Sequence, residues 1–76
     1  MSYQEIMEMA QQAIVEYVAT KYGEAITKND VNVFFNTSAL NITKIMAMDS
    51  TPIDRIYVVT LDKNVGTPVV VAYLPD

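Results

Sequence analysis

The first third of the chain carries apolar residues at a helical period. Placed at about 100° per residue, Tyr3, Ile6, Met7, Ala10, Ala13, Ile14, Tyr17 and Val18 share one wide arc. Gln4, Glu5, Glu8, Gln11, Gln12 and Glu16 lie opposite. Ser2 followed three residues later by Glu5 forms a capping-box signature, and Gly23 offers a left-handed C-terminal position. The pattern predicts an amphipathic helix running from this cap to Tyr22, about five turns long. Ile6, Ala10, Ala13, Ile14 and Tyr17 are its expected buried face, and a charge at Ala13 is expected to unfold the domain.

Beyond Asp30 the period shortens to two. Thr27 with Asp30 can cap a single turn, and Val31–Asn36 then reads as a strand with Val31, Val33 and Phe35 on one face. Thr37–Thr43 stays open between a loop and a continuation of that strand around a bend. Lys44–Asp49 reads as a second strand, with a helical turn as the competing reading because methionine and alanine are weak strand formers. Ser50–Asp54 is turn chemistry, in which Pro52 keeps Thr51 extended. The most β-prone segments follow, Arg55–Leu61 and Pro68–Leu74. Asp62–Thr67 joins them as a hairpin loop, with Asn64 and Gly66 suited to positive φ. Short connections imply antiparallel pairing. The expected fold is α+β: one N-terminal amphipathic helix on a three- to four-stranded antiparallel sheet, as a single domain.

Both faces of the hairpin are apolar. Tyr57, Val59 and Leu61 alternate with Ile56 and Val58, and Val69, Val71 and Tyr73 alternate with Val70, Ala72 and Leu74. One helix covers one face, so the other needs a partner. Tyrosine favours interfaces. On that ground Ile56, Val58, Val70 and Ala72 are placed inward, and Tyr57, Val59, Val71 and Tyr73 form the expected interface. A homodimer, or failing that a heterocomplex with a host protein, is the expected assembly.

Composition sharpens this picture. In 76 residues there is no cysteine and no histidine. A domain of this size buries only about 60–65% of its unfolded surface, and no disulfide or zinc-thiolate site is available to add stability. Self-association is the remaining source of buried area. Net charge is −4, and Lys21, Lys28, Lys44, Arg55 and Lys63 are scattered, which argues against nucleic acid as a partner. No apolar run reaches the roughly 20 residues of a membrane span, and the N-terminal stretch lacks signal-peptide character. A cytoplasmic location is the expectation.

Catalytic chemistry finds little support. A Ser–His or Cys–His nucleophile is excluded by composition. Asp49 and Asp54 flank one turn, yet read as strand termini whose replacement by alanine is expected to change stability modestly. No spacing matches a metal site, and no cofactor is expected. Asn36-Thr37-Ser38 and Asn41-Ile42-Thr43 fit the glycosylation pattern only by composition. Phe34-Phe35 reads as strand packing rather than base stacking, and Met46 and Met48 as core filling rather than a binding surface. Glu5, Glu8 and Glu16, with Gln12, make an acidic helix face. It reads as solvated surface, with mimicry of nucleic acid as the sharper alternative.

Ile26-Thr27-Lys28-Asn29-Asp30-Val31, the stretch from Leu40 through Lys44-Ile45-Met46-Ala47, and Tyr57 together carry a resemblance. In these the chain resembles a family of small proteins, of no established activity, encoded by phages and prophages of Gram-positive bacteria. An aromatic-plus-cysteine pair after the first strand is missing here, where Phe35 and Thr37 stand instead. The resemblance implies a phage or prophage source and a small binding protein in the host cytoplasm. A non-enzymatic, self-associating protein is the leading expectation. The alternative is a direct-binding inhibitor of a host nuclease, polymerase or defence protein.

Overall fold

A computed structural model describes residues 2–49, 55–62 and 64–73. Helix α1 (Tyr3–Tyr22) precedes a single 3-10 turn at Lys28–Asp30 and four strands: β1 (Val31–Ala39), β2 (Ile42–Asp49), β3 (Ile56–Asp62) and β4 (Val69–Tyr73). The strands form an antiparallel meander in the order β1-β2-β3-β4, and α1 packs on one face. This is the expected α+β arrangement, with the sheet open at both edges.

Local chemistry sets the helix ends. Ser2 Oγ accepts from the Glu5 backbone N–H at 3.2 Å, and the Gly23 N–H reaches Ala19 O with Gly23 at φ 68°. Thr27 and Asp30 close a capping box, the Thr27 N–H donating to Asp30 Oδ2 at 2.9 Å. β1 runs on to Ala39, which resolves Thr37–Thr43 as strand, turn and strand. The turn holds Leu40 at φ 57°, fully exposed. β2 is a strand throughout, so tertiary pairing on both sides overrides the weak β-propensity of its methionines and alanine.

The core contains Ala10, Ile14 and Val18 from the helix, and Val31, Ile45, Ala47, Tyr57 and Val59 from the sheet. Tyr17 touches Tyr57 edge-on, with ring centroids 6.3 Å apart. Three expectations change. Ala13 is only half-buried, because Ala10, Ile14 and Val18 define the inward stripe one step round the helix. Phe35 does not share a face with Val31 and Val33. The register shifts between Val33 and Phe35, leaving Phe34 without a partner, so a β-bulge turns Phe35 to the far side opposite Met46. The parity of β3 is also reversed: Tyr57 and Val59 are buried under α1, while Ile56 and Val58 face away from it. The earlier grouping of Tyr57 with Val71 fails on register, since Tyr57 stands opposite Ala72 and Val58 opposite Val71.

Candidate interaction surface

The register defines what the far side of the sheet presents. One cross-strand row is Phe35, Met46, Val58 and Val71. Beside it runs Asn32, Met48, Ile56 and Tyr73, and on the other side Thr37, Lys44, Thr60 and Val69. Phe34, Phe35, Val69, Val71 and Tyr73 are each close to half exposed or more. Met46, Met48, Ile56 and Val58, in the middle of this face, are half-buried. Among the described residues no layer lies over this face. Of the four expected interface residues, Val71 and Tyr73 lie on it and Tyr57 and Val59 do not. Met46 and Met48 belong to it rather than to the core, where adaptable side chains suit a contact surface.

The inner face holds a polar cluster that sequence reading did not assemble. Asp49 ends β2 and Arg55 precedes β3, and both are almost fully buried. Tyr57 Oη donates to Asp49 Oδ2 at 2.5 Å. Arg55 Nη2 donates to Glu24 Oε2 at 2.5 Å, and its Cζ lies 4.2 Å from the Tyr22 ring centroid. Arg55 Nε sits 3.3 Å from Asp49 Oδ2 as an ion pair that lacks hydrogen-bond alignment. The cluster ties the helix C-terminus to the end of the sheet. Burial first, then the Asp49 hydrogen bond, pushes the Tyr57 hydroxyl well above the ordinary tyrosine range. Burial works against the Arg55 charge, but the Glu24 hydrogen bond and the electrostatic influence of Tyr57, Asp49 and Glu24 outweigh it and raise its pKa. The always-charged guanidinium thus lies between the Glu24 and Asp49 carboxylates at the end of the sheet. Asp49 is therefore no mere strand terminus. Its imagined partner Asp54 lies outside the described residues.

The acidic helix face is locally satisfied. Gln4 Nε2 donates to Glu8 and Gln12 Nε2 to Glu16, each at 3.3 Å and four residues apart. Among the described residues, no cluster of acidic side chains is arranged to hold a metal ion, and no helix is long and apolar enough to cross a membrane. Comparison of the chain with protein-family models, with curated proteins and with solved structures finds no match.

Proposed function

We propose that this chain is a non-enzymatic protein-interaction module whose outer sheet face is covered by a second copy of itself. One observation carries the reading: the apolar row Phe35, Met46, Val58 and Val71 spans all four strands, is extended by Met48, Ile56 and Tyr73, and meets no second layer among the described residues. Four strands at about 4.8 Å spacing and five residues at about 3.4 Å rise give roughly 300 Å² in plan. Two stacked faces therefore cover about 650 Å² in plan, which places the contact at the small end of specific interfaces. Among the described residues, charge on this side is confined to Lys44 and Asp62, at one end and of opposite sign, so these residues present no single-sign surface to a second copy. The phage resemblance supports a small binding protein acting in a bacterial cytoplasm.

Sedimentation equilibrium at micromolar concentration tests this. A dimer is expected for the parent chain, and a folded monomer for Val58→Glu, whose side chain sits mid-face. A parent chain that stays monomeric overturns the reading.

A further inference from the structure

The two edges of the sheet are protected unequally. β1 carries the bulge at Phe34 and polar residues Asn32, Asn36, Thr37 and Ser38, devices that discourage another strand from pairing. β4 has neither. Its register with β3 is continuous from Tyr73 to Val69, and it contains no charge and no internal proline. Among the described residues, no turn or loop hydrogen bond occupies its outer edge.

Beside this edge lies a groove of about 370 Å³. Ala13, Glu16, Tyr17 and Thr20 of α1 form one wall, and Pro68 and Val70 the other. On the opposite side of the helix, Gln11 Nε2 donates to Val31 O at 3.3 Å, so the groove lies between the β4-side flank of α1 and the inward face of β4. A strand added to β4 would turn alternate side chains into this groove. The groove is apolar except for two threonines and Glu16. Glu16 accepts from Gln12 and, among the described residues, forms no ion pair.

We propose that β4 is a strand-addition site for an extended peptide of a partner protein, with apolar side chains and one lysine or arginine on the groove-facing side. Backbone pairing supplies the affinity, and Glu16 selects a cation. A second copy is a poorer occupant of this edge, because its own β4 offers no cation to Glu16. Pro68 limits the added strand to a short segment. The site is separate from the outer face, so it stands or falls independently of dimerisation there.

The test is an amide-resolved NMR titration of the full chain with two soluble, end-blocked octapeptides. Both carry threonine and serine on one side and valine on the other, with a single lysine or a single glutamate among the valines. The lysine peptide is expected to perturb Val69–Tyr73, Ala13 and Thr20 and to bind at least tenfold tighter than the glutamate peptide, a preference that Glu16→Lys reverses. No perturbation of β4 at millimolar peptide overturns the proposal, as do equal affinities or shifts confined to Phe35, Met46 and Val58. Concentration-dependent protection of the β4 amides without peptide also overturns it, by assigning the edge to a second copy.

Discussion

Tyr57 stands opposite Ala47 in the β2–β3 pair, and its hydroxyl reaches diagonally along the inner face to donate to the buried Asp49 carboxylate. Asp49 is 2% exposed, so its charge is held by protein groups rather than by water. Asp49→Ala would leave Arg55 buried beside an empty site, where loss of a buried partner costs about 3–5 kcal/mol. Urea unfolding should show that loss. A drop under about 1 kcal/mol would mean that Glu24 alone satisfies Arg55.

Tyr57→Phe keeps the ring against Tyr17 and removes only the hydroxyl. Its expected cost is about 1–3 kcal/mol, the penalty for depriving a buried acceptor of its donor. A neutral Tyr57→Phe in the same unfolding assay would show that the hydrogen bond contributes little.

The same pair sets an alkaline limit. The folded-state pKa of Tyr57 is raised above its ordinary value of 10.0. The folded protein therefore keeps a proton that the unfolded chain releases, and this contribution is whole below about pH 10. It is lost as pH rises through the folded-state pKa. The raised pKa of Arg55 acts in the same direction at still higher pH. Melting temperature should be level from neutrality to about pH 9 and fall beyond about pH 10. Tyr57→Phe should flatten the fall, and an equal slope in both proteins would assign alkaline unfolding to other groups.

Ala10 and Ala13 separate the core stripe from the groove. Ala10→Glu places an unpaired charge at a fully buried position and should abolish cooperative unfolding. Ala13→Glu adds its charge at a half-buried groove wall and should leave a folded domain. Circular dichroism melts of the two variants decide the matter, and equal damage would contradict the observed helix rotation.

Leu40 occupies the left-handed region with its side chain wholly in water. A residue with a Cβ costs about 1–2 kcal/mol there, and glycine avoids the clash. Leu40→Gly should therefore raise stability by about 1 kcal/mol. Unchanged or lower stability would show that the leucine makes contacts in an assembled state.

The helix was legible to the residue because its signals are local: a serine cap, a heptad-like arc and a terminal glycine. The hairpin was legible for the same reason. Face assignments were not, because strand parity depends on partners. The bulge at Phe34 reverses every side chain after it, and no residue type in Val33-Phe34-Phe35 announces it. In β3 and β4 both parities are apolar, so alternation carries no information, and the preference for tyrosine at interfaces misplaced Tyr57. Here the acid across the strand pair decides. Asp49 gives the phenol a buried acceptor, which makes the inward position the satisfied one. Asp49 reads rightly as the end of a strand, but nothing local in the sequence shows that its carboxylate is buried beside Arg55 on the far side of residues 50–54.

The meander order also shapes how the chain folds. Each strand pairs with its neighbour in sequence, so the sheet assembles from hairpins that close short loops, the connectivity of fast folders. The helix is the exception. It is synthesised first, yet Ala10, Ile14 and Val18 find their cover on strands as late as β3. During synthesis that apolar stripe gains partial cover from Val31, Ile45 and Ala47 and is completed only when Tyr57 and Val59 have emerged, so until then α1 offers apolar surface to other chains.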